Sequence, residues 1–274
     1  MSKVSLKRAV SAIQKFYPIR LADSSWDNTG LLVEAYSEKD TSASLKILLT
    51  IDLTQSVVDE AISHNTNLIM AYHPFIFRGL KSITSKDPQQ RSLLKLIKND
   101  ISVYCPHTAV DSAVGGVNDF LVDAVSKESE IASKSPITPD SLDPNCGAGR
   151  IINLASPISL EKAVERVKEA LGLKYVQVAV ANGKSKSHEI SSIAICAGSG
   201  GGVFKGVEAD LYFTGELSHH EALFFNESGS SVIVCNHSNT ERAFLKVFKD
   251  QLQSELEDAE IIISQSDKDP FETW

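Results

Sequence analysis

Three short polar segments carry residue types that bind divalent metals. Histidines or carboxylates occur in residues 72–74 (YHP), 107–111 (HTAVD) and 237–241 (HSNTE). Imidazole nitrogens and carboxylate oxygens are the common ligands of zinc and related ions. The segments lie far apart in the sequence, so only the fold can bring them together. If it does, the sequence predicts a metal site and a metal-dependent enzyme.

The pair His237 and Glu241 has two interpretations. Their i, i+4 spacing places both side chains on one side of a helical turn, where they can share a metal. Ser238 and Glu241 also fit a capping box, in which the glutamate only satisfies a backbone amide. The sequence leaves both open.

The residues of the two upstream segments also have more than one possible role. His73 precedes Pro74, which fixes the backbone at the end of a strand, and it is either a ligand or a strand-end histidine. Tyr72 donates a hydrogen bond to a water at the site or packs. Asp111 is a hard ligand or a turn residue, whereas His107 is a ligand, a partner of a ligand, or a substrate contact.

Residues 218–221 (SHHE) and 198–202 (GSGGG) are weaker candidates. Adjacent helical residues diverge by ~100°, so we expect either His219 or His220 to face the site. Ser218 and Glu221 fit a capping box. The glycine-rich turn lacks a dinucleotide or Walker pattern, although its amides can cradle an anion.

Strand-like and helix-like segments alternate along the chain. Strands are predicted at residues 46–51, 68–72, 101–105, 151–154, 175–180, 190–196, 210–213 and 232–235. Helices are predicted at residues 55–63, 88–99, 118–125 and 159–171. The alternation predicts an α/β fold with three-layer α/β/α character. Ligands of such sheets bind beyond the carboxyl ends of the strands, where the candidate residues lie.

A proline- and serine-rich stretch interrupts this alternation in the middle of the chain. We therefore predict an N-terminal α/β lobe over residues 1–126, a linker or surface excursion over 127–148, and a C-terminal α/β lobe over 149–274, with lobes that can intertwine. The 274 residues suffice for two such lobes.

Composition excludes several functional classes. The net charge is 27 − 35 = −8, and no basic segment interleaved with aromatics is present, which disfavours nucleic acid as a partner. No apolar run approaches the ~20 residues of a membrane span, so no membrane association is expected. The four cysteines form no CxxC pair, which indicates buried free thiols.

The basic N-terminus resembles a mitochondrial presequence, but its apolar residues also have the spacing of an amphipathic helix. We favour a structural helix and a cytoplasmic protein; a mitochondrial or nuclear pool is the alternative.

Ordered motifs along nearly the whole chain resemble the NIF-three-like family, whose members are also called GTP cyclohydrolase I type 2 homologues. The motifs are WDNTGLLV (26–33), YHPFIF (72–77), HTAVD (107–111), GGVND (115–119), ADLYFTGE (209–216), SHHE (218–221), HSNTER (237–242) and SDKDPF (266–271). The length is similar to that of the compact or eukaryotic form.

The resemblance implies two α/β lobes with a dinuclear metal site in the cleft between them, and a ring-shaped homohexamer. Carried over, His73, Asp111 and Glu241 hold one divalent metal (zinc, iron, manganese or cobalt). His237 and a bridging Glu241 hold the other. The family has a histidine where this chain has Tyr72. A phenol with a pKa near ~10 is a poor ligand at neutral pH, so we expect one well-occupied site and a weak or empty second.

Two functions follow from the resemblance. The first is a metal-dependent hydrolase, of cyclohydrolase or phosphoester type, acting on a nucleotide or small phosphoester, with Glu241, His219 and His220 as candidate catalytic residues. Tyr72 and His107 are additional candidate ligands. The alternative is a non-catalytic binding or regulatory protein that interacts with a transcriptional coactivator component.

Overall fold

Alternating apolar strands and amphipathic helices build two α/β units, each from segments that are not contiguous in the chain. The computed structural model describes residues 3–35 and 44–273. Unit 1 comprises Met1–Val110 and Leu245–Lys268, and unit 2 comprises Asp111–Phe244 and Asp269–Trp274. The predicted α/β class is confirmed.

Unit 1 contains a sheet of five strands within its described residues, in the order β1-β4-β3-β2-β13. Its strands are β1 (Gly30–Val33), β2 (Lys46–Thr50), β3 (Leu68–Ala71), β4 (Ser102–Cys105) and β13 (Glu260–Ile263). Its helices are α1 (Lys3–Phe16), α2 (Gln55–Ser63), α3 (Pro88–Lys98) and α9 (Leu245–Glu255). Strands β4, β3, β2 and β13 are parallel, and β1 is antiparallel to β4. The carboxyl ends of four strands therefore meet at one edge.

Helices cover both faces of this sheet. On one face, residues of α2 and α3 pack with Leu48, Ile69 and Val103. Strand residues alternate between faces, and Tyr104, on the opposite face from Val103, hydrogen-bonds Gln14 of α1. Burial raises the pKa of Tyr104 despite that bond. The predicted structural helix is thus present, with Leu6, Ala9 and Ile13 buried.

Unit 2 contains a six-stranded sheet among its described residues, in the order β5-β8-β10-β11-β12-β9. Its strands are β5 (Ile131–Ser135), β8 (Arg150–Ser159), β9 (Gln177–Ala179), β10 (Glu189–Ser199), β11 (Leu211–Glu216) and β12 (Ser231–Val234). Its helices are α5 (Val117–Val125), α6 (Leu160–Leu171), α7 (His219–Glu227) and α8 (Asn239–Arg242). Strands β10, β11 and β12 are parallel, and the remaining pairs are antiparallel. A short helix, α4 (Thr108–Ser112), lies where the chain passes from unit 1 to unit 2.

Local sequence signals set several helix ends. Asp87 caps α3 by accepting a hydrogen bond from Gln90 N, and Pro88 occupies the first turn. Ser159 caps α6, which ends at Gly172 with a left-handed φ of 68°. These boundaries agree with the sequence prediction.

The division of the chain differs from the boundaries predicted at residues 126 and 149. The first crossover comes after Val110, and Leu245–Lys268 returns to unit 1 because β13 pairs with β2. The stretch 127–148, predicted as a linker or surface excursion, contains β5, which pairs with β8. It also contains β6 (Thr138–Pro139), which pairs with β7 (Gly147–Ala148). These strands could not be predicted from the sequence, because β5 is largely exposed and an exposed strand needs no alternating apolar residues.

A buried ion pair anchors the start of β8. Arg150, 1% exposed, contacts both carboxylate oxygens of Asp119, with Nε–Oδ1 at 3.0 Å and Nη2–Oδ2 at 3.2 Å. Its remaining N–H groups donate hydrogen bonds to the carbonyl oxygens of Gly147, Gly149 and Ala113. Burial opposes ionisation of Asp119, but the Arg150 guanidinium outweighs it and lowers the pKa of that carboxyl.

No helix in the described part of the chain is long and apolar enough to cross a membrane.

We predict that Asp119→Asn lowers the free energy of unfolding by about 3 to 5 kcal/mol, because it leaves the Arg150 charge buried without its counter-ion. Urea unfolding followed by circular dichroism measures this. Lys134→Ala is the control: it removes a second cation 3.1 Å from Asp119 whose side chain is 43% exposed, and it should cost less than about 1 kcal/mol.

The folded pKa of Asp119 lies below its unfolded value. The contribution of ionised Asp119 to stability is therefore complete above the unfolded pKa of about 3.9. It is lost as the pH falls through the folded pKa. The difference in free energy of unfolding between wild type and Asp119→Asn should therefore decrease in that acidic range. Equal effects of the two substitutions at neutral pH would contradict the prediction.

Candidate metal centre

His73 follows β3 and is held by a carboxylate from the neighbouring strand. Its Nδ1 lies 2.9 Å from Oδ1 of Asp52, which follows β2. An ionised carboxylate only accepts, so Nδ1 donates, and in the neutral imidazole the lone pair lies on Nε2. Asp267, in turn, accepts a hydrogen bond from the amide of Ile51 (3.0 Å) and steadies the loop that carries Asp52. This carboxylate–imidazole arrangement is the one that orients metal-binding histidines.

His107 is held in the same way. Its Nδ1 lies 2.7 Å from Oδ1 of Asp27, whose side chain is fully buried and also accepts hydrogen bonds from Thr108. Burial opposes ionisation of Asp27, yet the hydrogen bonds from His107 and Thr108 lower its pKa. His107 has a left-handed φ of 35°, an unusual backbone conformation that is common at functional sites.

Tyr72 lies beneath these imidazoles and is completely buried. Its ring meets His73 edge-on at 5.4 Å between centroids and His107 edge-on at 6.0 Å. The two imidazoles are 5.4 Å apart. The structure therefore brings the three predicted residues of unit 1 into one cluster, with the tyrosine as its packed base.

His237 and Glu241 form the corresponding group in unit 2. His237 follows β12 after Asn236, which has a left-handed φ of 68°. Its Nδ1 lies 2.8 Å from Oε1 of Glu216, the last residue of the adjacent parallel strand β11. Its Nε2 lies 3.4 Å from Oε1 of Glu241. The two predicted ligands are therefore adjacent.

Glu241 does not form the capping box that its spacing allowed. Ser238 makes no side-chain cap to α8. Its hydroxyl instead donates to Oδ2 of Asp269 at 3.1 Å and accepts from Arg242 at 3.0 Å. Glu241 is only 2% exposed. A carboxylate buried beside an imidazole, without a capping role, fits the donor set of a metal site.

Asp111 belongs to the same region of unit 2. Asn118 donates to the Asp111 carbonyl oxygen at 2.9 Å and accepts from the amide of Ala197 at 2.8 Å, which joins α4 to β10. Burial raises the pKa of the nearby Cys196 thiol, and the charges of Asp111 and Glu241 raise it further. Both carboxylates thus act on one thiol, which places Asp111 and Glu241 in the same part of unit 2.

Gly198 lets the end of β10 approach this group. A Cβ on Gly198 would lie 2.8 Å from Nε2 of His237 and 3.1 Å from Oε1 of Glu241. Its φ of +64° is also unfavourable for any other residue. The amide of Gly198 donates to Thr240 Oγ1 at 2.9 Å, which fixes the approach. The glycine-rich turn therefore makes room for the candidate ligands.

The two histidines of the SHHE segment diverge as expected. His219 and His220 meet edge-on at 5.3 Å between centroids, and the predicted capping box of Ser218 and Glu221 is formed. His220, together with Glu221, lines a cavity of about 1090 Å³ in unit 2 whose lining includes neither His237 nor Glu241. The structure assigns no chemistry to either histidine, and their catalytic role stays a prediction.

Comparison with known proteins agrees with the sequence motifs. The family model described as Duf34/NIF3 (NGG1p interacting factor 3) matches residues 4–270. The chain belongs to the DUF34/NIF3 family. The Schizosaccharomyces pombe "Protein NIF3 homolog" is 50% identical over 282 residues, covering 100% of both chains. The Saccharomyces cerevisiae "NGG1-interacting factor 3" is 46% identical over 283 residues, covering 99% of this chain and 98% of the relative.

A solved structure shows the same fold. The Bacillus cereus protein related to NIF3 superposes with a TM-score of 0.83 at 22% identity and covers 98% of both chains. At that identity the similarity concerns the DUF34/NIF3 fold alone.

The carboxylates that hold the histidines of this DUF34/NIF3 protein were not among the predicted site residues. Asp27, Asp52 and Glu216 contact His107, His73 and His237, respectively. Asp27 and Glu216 stand inside the family-like motifs, and Asp52 follows a predicted strand. A search for carboxylates at strand ends would have found Asp52 and Glu216 but not their partners, which depend on strand order.

We predict that Gly198→Ala weakens cobalt binding at least about tenfold, because the added Cβ displaces His237 from its supported position. Strain at the left-handed φ should also cost about 1 to 2 kcal/mol of stability. Isothermal titration of chelator-treated protein measures the affinity.

Gly202→Ala is the matched control for this substitution. A Cβ at Gly202 meets nothing within 4 Å, so cobalt affinity and melting temperature should match wild type. The same affinity in both variants would show that Gly198 does not shape a metal site.

Proposed function

We propose that this DUF34/NIF3 protein binds a divalent metal through His73, Asp111, His237 and Glu241 and acts as a hydrolase. The observation that carries the proposal is the carboxylate on Nδ1 of both histidines: Asp52 on His73 at 2.9 Å and Glu216 on His237 at 2.8 Å. A surface histidine needs no such support, whereas a metal ligand does.

The charges of the proposed ligands suit a divalent cation. Glu241 and Asp111 provide two carboxylates, and His73 and His237 would each bind through Nε2, because Nδ1 faces its own carboxylate. This mixed nitrogen and oxygen set accommodates zinc, iron, manganese or cobalt.

A divalent cation held there would act as a Lewis acid and lower the pKa of a water by several units. The protein's own residues would do the rest. Asp52 and Glu216 hold the imidazoles in one tautomer, Glu241 is the candidate to move a proton, and His219 or His220 is the candidate to contact substrate. This chemistry fits a hydrolase of cyclohydrolase or phosphoester type that acts on a nucleotide or small phosphoester.

We further propose that the second metal position of the family is weak or empty here. Tyr72 occupies the place of the family's first histidine, and its ring is fully buried beneath His73 and His107. A neutral phenol cannot replace an imidazole at neutral pH. His107, whose Nδ1 faces Asp27, is a candidate for an auxiliary ligand or a substrate contact.

We predict one tightly held metal equivalent per chain, and a second in Tyr72→His, which restores the family's residue. His237→Ala should lose the first equivalent. Mass spectrometric metal analysis after gel filtration measures the ratio. His64→Ala, which changes an exposed histidine at the end of α2, should keep it. Two tight equivalents in the wild-type chain would rule out the single-site proposal.

A second candidate function is protein binding. The Saccharomyces cerevisiae relative is named for interaction with NGG1, which favours a partner involved in transcription. Under this proposal the metal stabilises a surface and does not turn over substrate. The homohexamer implied by the resemblance, and the cytoplasmic location with a mitochondrial or nuclear pool, are proposals common to both functions.

Turnover separates the two candidates. Nucleotides and phosphoesters are assayed with added zinc, manganese, iron or cobalt. A hydrolase should lose at least about a hundredfold in rate in His73→Ala and in Asp111→Ala, because each change removes a direct ligand, while His64→Ala keeps full activity.

Circular dichroism confirms that the variants are folded. No turnover with any pair of metal and substrate, together with direct binding to a purified NGG1p homologue, would reject the hydrolase in favour of the second candidate.

A further inference from the structure

Unit 1 exposes two large aromatic side chains side by side. Trp26 is 53% exposed and Phe77 is 48% exposed. Their ring centroids are 6.1 Å apart with an interplanar angle of 55°. Aromatic rings contribute most to stability when they are buried, so an exposed pair suggests a function outside the core. We name Trp26 and Phe77 the aromatic platform.

Hydrogen bonds fix the platform in place. The indole Nε1 of Trp26 donates to Asp23 Oδ2 at 2.8 Å. Asn28 donates to the carbonyl oxygen of Ile76, which ties the segment carrying Trp26 to the segment carrying Phe77. Hydrogen bonds from Ser25 and Trp26 hold the pKa of Asp23 below its usual range, so this support is charged at neutral pH. The rings are thus oriented before any ligand arrives, which reduces the entropy cost of binding.

The platform lies beside the candidate site residues of the same unit. The Trp26 ring meets His107 edge-on at 5.7 Å between centroids, and His107 lies 5.4 Å from His73. His107 therefore connects the platform to His73, a proposed metal ligand, through two successive ring contacts. A molecule bound on the platform would therefore lie close to a residue proposed to bind the metal.

We propose that the aromatic platform binds the planar, unsaturated ring of a neutral heterocyclic substrate. Flat aromatic faces select planar rings, because such rings stack on them. The charged Asp23 disfavours an anionic ring. That the bound molecule is a substrate depends on the proposed function, but the binding needs no metal.

The test uses intrinsic fluorescence of metal-free protein. The chain has two tryptophans, Trp26 and Trp274, so a Trp274→Phe background leaves Trp26 as the only reporter. The probes are inosine, uridine and dihydrouridine. Dihydrouridine keeps the polar groups of uridine but has a saturated, puckered ring. Saturable quenching by inosine and uridine, with at least about fivefold weaker binding of dihydrouridine, is expected.

Two further variants locate the binding. Phe77→Leu should weaken inosine binding at least about fivefold, while Phe271→Leu, at a residue 76% exposed in unit 2, should leave it unchanged. Equal binding of uridine and dihydrouridine, no saturable quenching by any probe, or an unaltered Phe77→Leu would overturn the proposal.

Other results would also overturn it. If Trp26 fluorescence changes with protein concentration and the probes do not compete, the platform is a contact between copies of the chain. Because the protein is metal-free, failure of the metal-binding and turnover experiments leaves this result unaffected, and the two proposals fail separately.

Discussion

Hydrogen bonds between carboxylates and imidazole Nδ1 atoms are the constraint on which the candidate site depends. In the described chain they hold His73, His107 and His237 at donor–acceptor distances of 2.9, 2.7 and 2.8 Å. A neutral imidazole has two tautomers, and a carboxylate on Nδ1 selects the one with its lone pair on Nε2. Without that selection the same histidines would have neither a defined ring orientation nor a defined tautomer.

A pair of adjacent parallel strands positions the two partners of this hydrogen bond in each unit. In unit 1 the carboxylate follows β2 and the histidine follows the adjacent parallel strand β3. In unit 2 Glu216 ends β11 and His237 follows the adjacent parallel strand β12. Parallel neighbours bring their carboxyl ends to one edge, so residues distant in sequence become hydrogen-bond partners without long loops. The buried Arg150–Asp119 pair and Asn118 then hold the start of β8 and the Asp111 segment near the end of β10.

Much of this could be predicted from the sequence, because its signals are local. Capping residues such as Asp87 and Ser159 mark helix starts, and the predicted ligands stand where apolar strands end. The missing parts are not local. The carboxylate partners depend on which strands are neighbours, and the role of Glu241 depended on whether Ser238 turned toward the helix or toward Asp269. The strand β5 was missed because its exposed residues carry no apolar pattern.

The most direct test of the account is anomalous diffraction from crystals of zinc-loaded protein. We predict one strong anomalous peak per chain, with Nε2 of His73, Nε2 of His237 and the carboxylates of Asp111 and Glu241 as ligands. Asp52 and Glu216 should still contact the Nδ1 atoms. Two peaks of equal strength with the Tyr72 oxygen as a ligand, or a peak that touches none of these residues, would contradict it.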